Sequence, residues 1–343
     1  MNVLVLTTMT PFAYGRAEEV TNQLVRQMKL LGINAEAMRL PSKGNSPERL
    51  LDEMFIFKSL KLLNVDRVIS LGFPAYLVPF DSRACWILSS HPQSYDRFEE
   101  LNALGRSEPR SRSVKEAVIR NDIRCFQSSK QLFAGSRAVQ ARMQHYHGLV
   151  PDILLPPLSD PERFEPVGDD GYILASGRIE ETKSLSLLID AMKLLPSGER
   201  LVIAGLPDNA VEARGLQEQV REAGLEGRVA FDMRGLSRDG LAALVGRARA
   251  VACTGDDPDR GLFMEAFQAS KPVLTVVDTG ISSNIVLNGE TGIMTEPTVE
   301  ALARGMVALL GSSIKAAEMG AAGNEKWRSL KVNWPATIER LLA

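Results

Sequence analysis

The stretch Tyr172 to Met192, YILASGRIEETKSLSLLIDAM, decides the fold. Its opening apolar run reads as a buried strand, and the segment from Leu185 to Leu195 as a helix. The turn between them holds Gly177, Arg178 and Lys183. Downstream the same unit recurs. RLVIAG (Arg200 to Gly205) precedes a helix over Val211 to Ala223, and RVAFDM (Arg228 to Met233) a helix over Arg238 to Arg247. AVACTG (Ala250 to Gly255) precedes a helix around Leu262 to Ala269, followed by strand PVLTVV (Pro272 to Val277). Upstream, NVLVLTT (Asn2 to Thr8) leads into a helix from Ala17 to Leu31, with apolar residues at Val20, Leu24, Met28 and Leu31. Strands INAEAMRL, RVISLGFP, ACWILSS (Ala84 to Ser90) and QLFAGS (Gln131 to Ser136) follow, and then a helix over SRAVQARMQHYH. Strand alternating with helix is the pattern of parallel sheets covered by helices, so the chain is α/β, with two doubly wound units in succession. The proline-rich ground from Asp152 to Pro166 is the expected linker between them.

The chain has 343 residues, 45% hydrophobic and 24% charged, with a formal net charge of -2. That length favours two domains, and that charge gives no reason to expect a nucleic-acid partner. The basic stretch RSEPRSRSVK (Arg106 to Lys115) reads as a solvated loop leading into a helix. Cys85, Cys125 and Cys253 are odd in number and lack metal-ligand spacing, which supports neither a disulfide framework nor a zinc site. The opening residues carry no signal-peptide pattern, and no apolar stretch approaches the roughly 20 residues of a membrane span. The expectation is a cytoplasmic protein, with peripheral contact to the inner face of a membrane left open.

In doubly wound sheets ligands gather outside the carboxyl ends of strands. Four such turns carry chemistry, and the cleft between two facing units is the expected site. YGRAEE, with Gly15 and Arg16, stands before the first helix, where backbone N–H groups can approach an anion. Arg178 and Lys183 bring two cations to a helix start, which the helix dipole opposes and a diphosphate leaving group favours. Asp257 and Glu265 are carboxylates suited to accept hydrogen bonds from sugar and ribose hydroxyls. Glu265 lies between Phe263–Met264 and Ala266–Phe267, so it should be partly buried and require partners, although a carboxylate there also matches the helix dipole. SSHPQSYDRF supplies His91, Tyr95 and Asp96 after a strand of the first half. His145 and His147 read as ordinary residues of a helix C-terminus.

Together these motifs resemble glycosyltransferase family 4, whose members have the GT-B fold: two facing Rossmann-like domains with an interdomain cleft. The resemblance covers nearly the whole chain. GRIEETKSLSLLI resembles the family's GR…K-G…L element, which puts Gly177, Arg178 and Lys183 at the donor diphosphate. Asp257 to Glu265 resembles its E-x7-E pair, with Gly261 and Leu262 beside the donor. EAFQASKPVLTVVDTG and IVLNGETGIMTEP resemble two further elements, and P…YGRAEEV resembles P--GG-E, which puts Gly15 and Arg16 beside the diphosphate. FPAYLV…WILSSHPQSYD is similar to a subgroup that places His91 at the reaction. The resemblance implies an acceptor-binding domain over residues 1–160, a nucleotide-sugar domain over 161–330, and a helix over 331–343 that crosses back, within WPATIERLL. It implies a retaining transfer of a hexose from a UDP- or GDP-linked donor to a saccharide, lipid-linked or natural-product hydroxyl, with catalytic roles for His91, Arg178, Lys183, Asp257 and Glu265. No metal or other cofactor is expected, and the chain is expected to be a monomer or homodimer.

The sequence departs from the family pattern at several positions. Asp257 stands for glutamate, Arg16 for the second glycine of its turn, and Arg260 at a usual glycine position. Ser89 stands where the subgroup often has histidine, and Asn284 where the family often has glutamate. A non-catalytic nucleotide-sugar binder therefore stays open, as does a nucleotide-sugar epimerase of similar fold. A dinucleotide oxidoreductase is disfavoured, because the first strand is not followed by G-x-G-x-x-G.

Overall fold

The computed structural model describes residues 1–9, 16–42, 47–88, 95, 98, 109–177, 179, 185–207, 209–254, 261–277 and 285–343; the side chains of residues 16, 47–48 and 109–111 lie outside the description. The chain forms two compact units, Met1–Ser159 with Val332–Ala343, and Asp160–Lys331.

The first unit runs β1 (Asn2–Met9), α1 (Arg16–Leu30), β2 (Asn34–Pro41), α2 (Pro47–Ser59), β3 (Arg67–Ser70), β4 (Arg83–Ile87), α3 (Pro109–Ser128), β5 (Gln131–Ala134), α4 (Arg137–His147) and β6 (Asp152–Ile153). Its six strands form a parallel sheet in the order β2-β1-β3-β4-β5-β6. Side chains alternate across a strand, so β1 and β4 feed two apolar layers. Val3, Val5, Ala84 and Trp86 pack with Val20, Leu24 and Met28 of α1. Leu6, Cys85 and Ile87 pack on the other face with Met54 and Phe57 of α2, Val118 of α3 and Met143 of α4.

The second unit runs β7 (Tyr172–Ser176), α5 (Leu185–Met192), β8 (Arg200–Ala204), α6 (Ala210–Glu222), β9 (Val229–Asp232), α7 (Arg238–Arg247), β10 (Ala250–Cys253), α8 (Leu262–Gln268), β11 (Val273–Val276), β12 (Gly292–Thr295), α9 (Val299–Leu310) and α10 (Ser313–Ser329). The parallel order is β12-β11-β10-β7-β8-β9. Counted from β7, this is the Rossmann order 3-2-1-4-5-6 read from the other edge. Its strand order reverses between β7 and β10, where Leu174 stands opposite Val251. The core is aliphatic, with Ile173, Leu188, Ile189, Leu201, Ile203, Leu274, Leu302 and Met306 all fully buried or nearly so.

The chain then returns to the first unit as α11 (Trp334–Leu342). Asn333 caps it by accepting from the Ala336 N–H at 3.0 Å. The Trp334 indole donates to the Leu158 carbonyl at 3.1 Å, and Trp334, Ile338 and Leu341 bury against the α1 layer.

Two sequence expectations need correction here. The stretch read as linker, Asp152 to Pro166, begins instead as sheet, because Asp152 and Ile153 pair with Phe133 and Ala134. The chain crosses from one unit to the other at Ser159–Asp160. The helix expected to reach Leu195 ends at Met192, and residues 193–195 turn back through Lys193, Leu194 and Leu195 N–H bonds to the carbonyls three residues earlier.

Candidate functional site

The reversal between β7 and β10 makes the carboxyl ends of these two strands the natural ligand crevice of the second unit. After β7 the backbone keeps to the end of β8. The Gly177 N–H donates to the Ala204 carbonyl at 2.9 Å, and the Ile179 N–H to the Leu206 carbonyl at 2.9 Å. Gly177 has φ 126° and Gly205 φ 147°, in the region that favours glycine. A Cβ built on Gly205 would lie 1.7 Å from the Gly177 oxygen, so the two turns touch backbone to backbone.

Beyond β10 the chain passes buried Thr254 and enters α8 through Gly261, whose φ of 57° makes the sharp turn into the helix. Residues Leu262 to Phe267 are all buried. Glu265 is only 3% exposed. Its Oε1 accepts from Arg238 Nη1 at 2.6 Å. Arg238 is the first residue of α7, whose N-cap Ser237 accepts from the Gly240 N–H. The same guanidinium donates through Nη2 to Asp160 Oδ1 at 2.6 Å and through Nε to Asp160 Oδ2 at 3.3 Å. Its face lies 4.8 Å from the centre of the Phe164 ring. Asp160 is held a second time by Arg163 Nε at 3.1 Å. A carboxylate as buried as Glu265 is costly unless paired, and the arginine fork supplies that pairing.

The first unit holds a different polar cluster. The Tyr95 hydroxyl donates to Asp122 Oδ2, and His147 Nε2 lies 3.1 Å from the same hydroxyl. Burial pushes the Asp122 carboxyl up to about 7, against the opposing pull of hydrogen bonds from Tyr95 and Tyr76. Burial likewise pushes His147 down to about 4 and raises the Tyr95 and Tyr76 phenols well above their usual range. Asp122 Oδ1 and His147 Nδ1 lack a hydrogen-bond partner among the described residues. Both side chains line a cavity of about 20 Å³, enough for about one water molecule.

Of the residues singled out from sequence, Gly177 falls on the turn after β7, Gly261 on the N-cap of α8 after the neighbouring strand β10, and Leu262 and Glu265 in the first turn of α8 itself. Gly15, His91, Arg178, Lys183 and Asp257 lie outside the described residues, with Ser89, Asp96, Arg260 and Asn284. Arg16 is the first residue of α1, and its side chain also lies outside them. His147 does close α4, as expected of it, but its contact with Tyr95 draws it into the buried cluster. Sequence reasoning missed Arg238 and Asp160. An arginine at the first position of a helix opposes the dipole, and that anomaly was the available signal. Among the described residues no group of three or more His, Cys, Asp or Glu could hold a metal ion, and no helix is long and apolar enough to cross a membrane. None of the three cysteines forms a disulfide; Cys85 and Cys125 are buried and Cys253 is half-buried.

The glycosyl transferases group 1 family matches residues 159–326, nearly the extent of the second unit. The alpha-1,3/1,6-mannosyltransferase ALG2 of Dictyostelium discoideum is 26% identical in an alignment 176 residues long that covers 46% of this chain and 41% of that relative. The chain thus spans about two fifths of the length of the curated relative it matches. Among solved structures, sucrose-phosphate synthase from Thermosynechococcus elongatus superposes with a TM-score of 0.78 at 17% identity, covering 99% of this chain and 96% of that one. Anabaena HepE in complex with UDP and glucose superposes with a TM-score of 0.71 at 14% identity, covering 99% and 98%. The chain therefore has the GT-B fold of these neighbours, two parallel six-stranded α/β sheets.

Proposed function

With residues 159–326 a glycosyl transferases group 1 domain, we propose that the chain transfers a hexose from a nucleoside-diphosphate sugar to an acceptor hydroxyl, retaining the anomeric configuration. The observation that carries this reading is a coincidence of three things. The family matches the unit with Rossmann strand order, and Gly177, Gly261 and Glu265 stand at that unit's strand-order reversal. HepE, of the same fold, has been crystallised with UDP and glucose, which supports a nucleoside-diphosphate donor.

In this reading the diphosphate is the leaving group, and its negative charge grows as the glycosidic bond breaks. Arg178 and Lys183 stabilise that charge, and Gly177, which has no side chain, lets the phosphates approach the backbone. Asp257 and Glu265 accept hydrogen bonds from donor hydroxyls. The acceptor attacks from the face the diphosphate leaves, and a phosphate oxygen takes its proton. His91 belongs to the acceptor side, which the first unit supplies. Charge stabilisation falls to these side chains and the reaction runs without a resident metal, so a chelator should leave turnover unchanged.

The test is release of nucleoside diphosphate from a panel of uridine-, guanosine- and thymidine-diphosphate sugars, with and without saccharide acceptors. Lys183→Ala and Arg178→Ala are each expected to lower turnover by about 10²–10³ while the fold stays intact. Normal turnover in both folded variants would reject their role. A second reading rests on the substitutions at Asp257, Arg16 and Arg260, which suit a nucleotide-sugar binder without catalysis. That protein would be stabilised by one donor of the panel and turn over none.

A further inference from the structure

We propose that Arg238 is the positioning residue of the donor site, holding Glu265 ionised and fixed in orientation beside the β7–β10 crevice. The inference rests on the donor-binding reading of Glu265 and extends it to Arg238 and Asp160, two residues that no motif marked.

Three observations carry it. First, the fork of Arg238 is committed to protein: Nη1 to Glu265 at 2.6 Å, Nη2 to Asp160 at 2.6 Å and Nε to Asp160 at 3.3 Å. With its face on the Phe164 ring as well, Arg238 is anchored on two sides and acts through Glu265 rather than by touching substrate. Second, the partners differ in burial: the Glu265 side chain is 4% exposed and that of Arg238 31%. A carboxylate that far from water holds its charge only with a cation beside it, and only the ionised form accepts from a hydroxyl at both oxygens. Third, the anchor is redundant where the grip on Glu265 needs it. Asp160 retains Arg163 if Arg238 is removed, whereas Glu265 loses its guanidinium contact.

Arg238 comes from α7, where Asp239 is turned to Arg163, and Asp160 and Arg163 come from the start of the unit. On the other side α10 meets α8 through Gly323, Asn324 and Trp327, none of which titrates. β10 ends in Cys253, and β11 carries no ionisable residue.

The experiment compares Arg238→Gln and Arg238→Lys with wild type in the full chain, reading donor KM and kcat from pH 6 to 9. Arg238→Gln is expected to raise donor KM about tenfold at pH 7 with a smaller change in kcat. That defect should shrink as pH rises, because the carboxyl, with its guanidinium partner removed, needs a higher pH to ionise. Arg238→Lys restores a charge but not the fork, so it should fall between the two. A merely structural arginine would lower the melting temperature and the active fraction without a pH-dependent KM. Equal KM and pH profile in wild type and Arg238→Gln would overturn the proposal.

A second measurement separates this from failure of the activity reading. Thermal stability is followed for Arg238→Gln, Glu265→Gln and the double variant. The pair predicts that Arg238→Gln loses more melting temperature at pH 8 than at pH 5, and that this excess vanishes when Glu265 is already glutamine. If wild type binds no nucleoside diphosphate, the activity reading falls and the positioning role with it, while the stability cycle still reads the pair. Additive losses in the cycle, with no excess at pH 8, would refute the pairing itself.

Discussion

Among the described residues each unit buries one carboxylate almost completely, Asp122 in the first at 1% exposure and Glu265 in the second at 3%, and each treats it differently. Asp122 receives hydroxyl protons from Tyr95 and Tyr76, and burial outweighs them, so its carboxyl titrates at about 7. Glu265 receives a guanidinium, itself shared with Asp160. Neutral donors soften the cost of burying charge, whereas a cation offsets it. The first unit therefore carries a core acid that changes state near neutral pH, and the second a carboxylate in the first turn of α8 paired with an arginine. Their glycine turns differ in the same sense. At Gly205 a Cβ would stand 1.7 Å from a backbone oxygen, while at Gly135, after β5 of the first unit, the nearest atom is Leu88 Cα at 3.0 Å.

The largest effect that would break this comparison is at Gly205. Gly205→Ala meets both a φ of 147° and the Gly177 carbonyl, so a loss above about 4 kcal/mol is expected. Chemical denaturation should show the second unit unfolded or the soluble yield lost; a near-normal midpoint would mean the two turns can part.

Asp122→Asn comes next. The folded carboxyl titrates at about 7, above the roughly 3.9 of an unfolded chain. Stability from this group is therefore full below about pH 4 and is lost as pH rises through 7. Asparagine removes that slope, so wild type should lose about 2–4 kcal/mol relative to the variant between pH 4 and pH 8. Parallel pH profiles of the melting temperature would show that Asp122 does not titrate in this range. The smallest effect is Gly135→Ala, about 1–2 kcal/mol, because its nearest neighbours, the backbone Leu88 Cα at 3.0 Å and Ile87 oxygen at 3.1 Å, need to yield only slightly. A loss as large as that at Gly205 would erase the distinction between the two turns.

Much of the second unit was legible because its strands are short apolar runs ending in glycine-bearing turns. YILAS, RLVIA and AVAC each became a strand of the Rossmann sheet. β6 was hidden by its length, two residues inside a proline-rich stretch, where pairing partners and not local pattern make the strand. α9 and α10 follow a strand of only four residues, and neither they nor α2 were anticipated. At the site, the burial of Glu265 could be read from its apolar flanks, since they place the carboxylate inside a buried helix. Its partner could not. Arg238 is 27 residues away and Asp160 lies 78 residues from Arg238, and no periodicity encodes a contact across three different segments. The Tyr95–Asp122–His147 cluster was hidden for the same reason, since it joins positions 27 and 52 residues apart.

The central claim is that the strand-end turns of the second unit hold a nucleoside diphosphate. Calorimetric titration of the full chain with UDP, GDP and TDP, beside folded Lys183→Ala, tests it most directly. Wild type is expected to bind one nucleotide saturably and one-to-one, and the variant at least about tenfold more weakly, equivalent to about 1.4 kcal/mol. No binding of any of the three, or equal affinity in the two proteins, would contradict it.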